Sequence, residues 1–192
     1  MKIVAEFDFN GGKANVFNNY PQEIQEVQNI ISMVDASKCK IKESYEKTMK
    51  GKMLYSPKAL NRLFKEEFHK YGWKNYSVEC KYIFGTYLSG YIPSNSNTTK
   101  PFRDMDFLKK GKKLGIEVQF GKYAFMVYNV CAKMTIFRNL NKIDTGIEIV
   151  PVKHLADNMS TGVSYFEQFA WDLTQRGISN IDIPVYIIGV DV

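Results

Sequence analysis

The stretch Arg103 to Tyr123, RDMDFLKKGKKLGIEVQFGKY, limits what this chain can fold into more than any other segment. Apolar and polar residues alternate on both sides of Gly111-Lys112, and glycine at the first central position is what a two-residue type II′ hairpin loop requires. If Lys110 pairs with Lys113, the residue numbers of every cross-strand pair sum to 223. Asp106 then falls opposite Glu117 and Asp104 opposite Gln119, and the two-residue period of a strand puts these four side chains on one face. Met105, Phe107, Ile116, Val118 and Phe120 fall on the other, as an apolar surface ready for core packing. One face of the hairpin is core and the other is acidic.

Directly opposed carboxylates have Cβ atoms roughly 4.5–5.5 Å apart and repel each other, so Asp106 and Glu117 should weaken the hairpin unless a divalent cation reverses the sign. The same pattern is also the ordinary solvent face of a half-buried hairpin. Two features favour a site. The acids meet at one point in a basic chain, and Lys109, Lys110, Lys112 and Lys113 crowd the tip, where Lys112 could hold a phosphate backbone. An acidic cation site flanked by lysines suits phosphodiester hydrolysis, because the metal neutralises charge on the phosphate and lowers the pKa of a bound water.

The rest of the chain supplies an α/β framework. Strands are expected at Ile3–Phe9, Tyr76–Tyr87, Met105–Leu108, Leu114–Phe120, Gly146–Val150 and Val185–Val190. Gly11-Gly12 reads as a turn, and Pro21 opens a helix through about Asp35 with Ile24, Val27, Ile30, Ile31 and Val34 on one face. Ser56-Pro57 starts a second helix striped by Leu60, Leu63, Phe64 and Phe68 and stopped at Gly72. Helical patterns recur at Tyr123–Phe137 and Val163–Gln175, the former too apolar on several sides to be solvated, which fits either core packing or a two-fold interface. Ser94–Lys100 is a polar loop. One domain over residues 1–192 is expected for a chain of this length.

Composition narrows the chemistry. Net charge is +6 and the sequence pI is about 9.0, which favours anionic partners. Part of this surplus is a lysine-rich stretch between Ala36 and Leu54, read as a loop. Three widely spaced cysteines, Cys39, Cys80 and Cys131, fit neither a disulfide framework nor a zinc site, and His69 and His154 belong to no metal-binding pattern. Ligands to any metal must therefore be carboxylates, and the metal a hard one such as Mg2+. The chain has no long apolar run and no signal-peptide pattern at its start, so no membrane association and a cytoplasmic location are expected.

Asp106, the step to Glu117, one apolar residue and Gln119 resemble the PD-(D/E)xK nuclease signature with its final lysine replaced. The longer string IEVQFGKYAF, Ile116 to Phe125, resembles type II restriction endonucleases of the BglII, BstYI and BamHI group, with BstYI the nearest likeness. The similarity extends to Gly51–Trp73 and to MSTGVSYFE at Met159–Glu167. It implies a restriction-endonuclease-like core, a mixed central β-sheet with flanking helices and a catalytic β-hairpin. It also implies a homodimeric, Mg2+-dependent enzyme that cuts double-stranded DNA at a palindromic site with a GATC core (RGATCY, AGATCT or GGATCC type), leaving 5′ overhangs.

Carried over residue by residue, the resemblance makes Asp106, Glu117 and the carbonyl of Val118 the metal ligands, with Gln119 in the place of the motif lysine. Glutamine cannot act as a general base, so water must be activated by the metal, a substrate phosphate or another group. The hairpin register favours Asp106 over Asp104. Lys122 suits guanine O6 and N7 or, equally, a phosphate. Ser160 and Thr161 resemble the recognition segment and could also cap a helix. Glu66 is a candidate ancillary acid or a surface ion-pair partner. Two other classes fit the basic charge: a sequence- or structure-specific DNA-binding protein or repair-type nuclease of the same fold, and an RNA- or phosphate-binding protein without catalysis.

Overall fold

In a computed structural model of the chain, which describes residues 1–80, 87–91 and 101–192, a six-stranded mixed sheet forms the centre. Its strands are β1 (Lys2–Phe9), β4 (Trp73–Glu79), β5 (Phe102–Lys109), β6 (Leu114–Val118), β7 (Thr145–Pro151) and β8 (Val185–Asp191), in the order β1-β8-β7-β6-β5-β4. The inner strands β6, β7 and β8 run parallel, while β1, β5 and β4 pair antiparallel. Parallel strands must be covered on both faces, and β6 and β7 are buried along their whole length.

Two helical layers provide the cover. On one face lie α2 (Pro21–Met33) and α3 (Pro57–Lys70), whose Ile24, Val27, Ile30, Leu60, Phe64 and Phe68 pack with Ile116, Val118, Ile147 and Ile149. Ser56 caps α3 as expected, its hydroxyl accepting from the Ala59 N–H at 3.3 Å. On the other face lie α4 (Tyr123–Tyr128), a five-residue π-helical segment (Asn129–Lys133), α5 (Met134–Asn139) and α7 (Phe166–Arg176), packed on Val150, Val185 and Ile187. A short helix α6 (Lys153–Ala156) follows β7, and α1 (Gly12–Asn19) follows β1 where only a turn is expected from Gly11-Gly12. No described helix is long and apolar enough to cross a membrane.

The lysine-rich stretch is more ordered than a loop: it holds a 3-10 turn at Ala36–Cys39 and a small hairpin of β2 (Lys42–Glu43) with β3 (Met53–Leu54). The expected strand to Tyr87 is seen to Glu79; residues 81–86, like the expected loop at Ser94–Lys100, lie outside the described residues.

The β5–β6 hairpin keeps its expected register with a different tip. Phe107 pairs with Ile116 and Leu108 with Gly115, so the pair numbers sum to 223. The turn, however, is closed by the Lys112 N–H on the Lys109 carbonyl at 3.0 Å, with Gly111 at φ 78° in the third position, the type II pattern instead of II′. A loop lengthened by one residue on each side leaves the centre of pairing unchanged.

A second difference lies in β5. Its pairing with β4 shifts between Lys74↔Leu108 and Tyr76↔Met105, a bulge that reverses which face Met105 occupies. Met105 packs with Met126, Met134 and Ile143 in one core cluster, whereas Phe107 packs in the other. Asp104 is likewise drawn toward β4, opposite Ser77, whose hydroxyl donates to its carboxylate.

Candidate active site and nucleic-acid interface

Where Asp106 and Glu117 face each other the hairpin ladder stops being backbone to backbone. The Asp106 N–H donates to Glu117 Oε1 at 3.3 Å, and the Val118 N–H donates to Asp106 Oδ2 at 3.1 Å. Beyond this point β6 stays with β7, the Gln119 N–H donating to the Ile149 carbonyl at 2.9 Å. Gln119 then folds back on Gly121, where a Cβ would stand 2.6 Å from its side-chain nitrogen and would push the amide aside. The structure thus brings Asp106, Glu117 and Val118 together, with Gln119 one step beyond.

Glu117 is buried, and burial together with the charge of Asp106 pushes its pKa up to about 8 against the opposing pull of Lys133. The Lys133 ammonium stands 2.7 Å from Glu117 Oε1. On the neighbouring parallel strand Glu148 lies in register with Glu117 and is fully buried, its pKa raised well above the usual carboxylate range by burial and by Glu117. Asn129 donates to Glu148 Oε1 at 3.1 Å, while Oε2 has no partner among the described residues. Asn129 and Lys133 begin and end the π-helical segment, whose wider turn directs both side chains at the sheet.

Asp106 lines a cleft of about 130 Å3 together with Val118, Asn61 and Lys65 of α3 and Asn75 of β4, while Glu117 stays buried behind it. Ring stacking holds α3 there, Phe68 on Phe107 with centroids 4.2 Å apart and Phe64 near Phe120 at 5.5 Å. Glu66, the next residue on α3, is not brought to the cleft; its carboxylate lies 3.8 Å from Arg62 on the exposed side of the helix. For a hard cation the donor set is two carboxylates and a carbonyl. Glu117 Oε1 is already engaged, whereas Glu117 Oε2 and Asp106 Oδ1 have no protein partner among the described residues. No cluster of three or more acidic, histidine or cysteine ligands occurs among those residues, so water or substrate would complete the shell.

The tip lysines do not flank the acids. Lys112 pairs with the nearly buried Glu23 of α2 at 2.7 Å, and Lys109 pairs with Glu26 at 2.6 Å. Trp73 donates to the same Glu26 at 2.9 Å. The tip is docked on α2, and the ammonium expected to hold a phosphate at Lys112 is neutralised by a carboxylate.

A second constellation forms where the backbone at Lys122 meets the segment that carries Ser160 and Thr161. Lys122 bridges Val163, and the Ser164 N–H donates to the Gly121 carbonyl at 3.1 Å, which lays the segment from Ser160 alongside the chain that leaves β6. The β2–β3 hairpin closes over it: Lys42 hydrogen-bonds Ser160, and Glu46 accepts from the Thr161 N–H at 3.2 Å. Ser160 and Thr161 line a groove of about 600 Å3 and do not cap α7, whose N-cap is Tyr165.

The sequence matches the profile of the family described as restriction endonuclease BglII/BglIII over residues 4–190. The chain belongs to the BglII/BglIII family of restriction endonucleases. Its fold is similar to that of BglII complexed with a DNA 16-mer, with a TM-score of 0.72 at 22% identity over 98% of this chain and 76% of that one. Free BglII gives a TM-score of 0.64 at 20% identity, over 100% of this chain and 80% of that one. Among curated proteins, none matches the chain significantly.

As a member of this family the protein is a type II endonuclease that cleaves DNA site-specifically. Several residues at its acidic centre escape a reading of the sequence. Lys133 and Asn129 sit in a helix that looks merely apolar, and Glu148 sits in a strand. One signal was available: GIE occurs both at Gly115–Glu117 and at Gly146–Glu148, and a lone acid inside a run of buried-strand residues calls for a partner.

Proposed function

We propose that this BglII-family enzyme hydrolyses both strands of duplex DNA at a palindromic site with a GATC core, of the RGATCY, AGATCT or GGATCC type, as a Mg2+-dependent homodimer that leaves 5′ overhangs. In this reading the hairpin is a PD-(D/E)xK variant most like that of BstYI. The observation that carries it is the meeting of Asp106 and Glu117 where the hairpin ladder opens, each with one oxygen that accepts no hydrogen bond from the described residues.

Asp106, Glu117 and the Val118 carbonyl would hold the cation, which supplies charge neutralisation at the phosphate and a water of lowered pKa. Gln119 orients by hydrogen bonding and takes no proton. Lys65 and Asn61, across the cleft from Asp106, suit the phosphate backbone. Lys122, Ser160 and Thr161 read bases from the second constellation, and a palindromic site calls for a two-fold pair of such surfaces.

Digestion of a plasmid of known sequence with Mg2+, followed by mapping of the cut ends, tests metal, core, flanking bases and overhang together. Discrete fragments ending in GATC overhangs are expected, and Glu117→Ala should give none while still retarding the site in a metal-free gel. Cuts elsewhere, or with chelator present, would reject the proposal.

A further inference from the structure

We infer that Lys133 is a displaceable counter-cation of the active site: its ammonium occupies Glu117 in the metal-free enzyme and competes with the divalent cation for that carboxylate. The inference rests on the metal-dependent reading above and adds a residue to it.

Three observations carry it. Lys133 Nζ stands 2.7 Å from Glu117 Oε1, with the two side chains 12% and 2% exposed, so the pair is screened from water. Among the described residues no other ammonium or guanidinium forms an ion pair with Asp106, Glu117 or Glu148. And Gln119, two residues beyond Glu117 and just past β6, carries no charge.

Charge arithmetic sets the direction of the effect. At equal distance a divalent cation repels an ammonium twice as strongly as an ionised Glu117 attracts it, and a Glu117 that holds its proton offers no charge to set against that repulsion. A cation on Glu117 therefore turns a favourable neighbour into an unfavourable one, and the attraction of Lys133 to Asp106 and Glu148 is present in both states. Lys133 has a flexible four-carbon stem and can withdraw, and an arriving DNA phosphate offers it a new partner. Cation and DNA then favour each other's binding reciprocally. A lysine that merely braced Glu117 would act in the opposite sense, since its loss would loosen the ligand and weaken the cation.

The test is Mn2+ titration of the full chain without DNA, followed by electron paramagnetic resonance, on wild type, Lys133→Met, Lys133→Gln and Lys133→Arg. Both neutral variants should bind Mn2+ at least tenfold more tightly than wild type, and Lys133→Arg should stay within about twofold. Equal or weaker binding in the neutral variants overturns the inference, as does failure of both to fold, which would make Lys133 structural; if only one folds, that one decides. Cleavage by wild type is measured in parallel. A wild type that cuts DNA with neither Mg2+ nor Mn2+ removes the metal-dependent reading and this inference with it, whereas a cutting wild type with unchanged Mn2+ affinity in the variants overturns the inference alone.

Discussion

Glu117 and Glu148 lie in register on adjacent parallel strands, both buried, and Lys133 is the one ion-pair partner of either among the described residues. A sheet interior tolerates such a pair only if charge is removed or matched. The nearby Asp106 adds to the imbalance. This buried acidic pair is therefore built at a cost in stability, and the cost can be measured.

Stability of the metal-free protein should fall as pH rises from 6 to 8. Glu117 in the fold holds its proton up to about pH 8, while in the unfolded chain it loses it near the ordinary carboxylate value. Its contribution is complete below that ordinary value and is lost as pH rises through about 8, at up to about 1.4 kcal/mol per pH unit. Glu148 acts with the same sign and the partly buried Met1 amine, held low, with the opposite one. The diagnostic is therefore the difference between wild type and Glu117→Gln in urea unfolding, which should change by about 2 kcal/mol between pH 6 and 8. A difference that does not vary with pH would mean that Glu117 is not titrating there.

The hairpin register is legible from the position of Gly111-Lys112, because the observed loop is longer by one residue on each side and keeps the same centre, although its turn type differs. The face of Met105 is not, because a bulge adds one residue without changing composition and methionine packs equally well on either side. For the same reason the helix expected at Tyr123–Phe137 is found, reaching Asn139, while its π-helical segment is not foreseen. Asp106 and Glu117 are found from local spacing. Glu148 belongs to a strand whose parallel partner is joined to it by a helix, so its proximity to Glu117 exists only in the tertiary fold. The pairing of Lys112 with Glu23 is not legible because α2 presents two acids to the hairpin tip, a contact between segments far apart in the chain.

That contact makes Lys112 a stability residue. Lys112→Ala leaves Glu23, whose side chain is 4% exposed, without its cation. The unfolding free energy should drop by about 2 kcal/mol, less than for a fully buried pair because Lys112 itself is partly solvated. Nonspecific DNA affinity should keep its salt dependence. A lysine on a phosphate would instead lower the slope of log K against log salt by about 1, and such a drop would restore the phosphate contact.

Lys122 should behave differently from the exposed lysines of the β2–β3 hairpin. Lys122→Ala is expected to reduce discrimination against sites altered by one base pair by about 1–3 kcal/mol, read from competitive cleavage of cognate and altered duplexes. Lys50→Ala should weaken binding to all sequences alike and reduce the salt slope. If the two variants change affinity and slope equally, Lys122 contacts the backbone and not a base.

Adjacent residues of α3 should give opposite results. Successive helical positions are about 100° apart, and Lys65 faces Asp106 across the cleft while Glu66 faces Arg62 outside it. Lys65→Ala should slow single-turnover cleavage at saturating Mg2+ by about tenfold or more, the range for losing a cation that places a phosphate. Glu66→Ala removes an exposed i,i+4 pair of small value and should leave the rate within about twofold. A large loss at Glu66 with none at Lys65 would put the ancillary acid back in the mechanism and require α3 to turn when DNA binds.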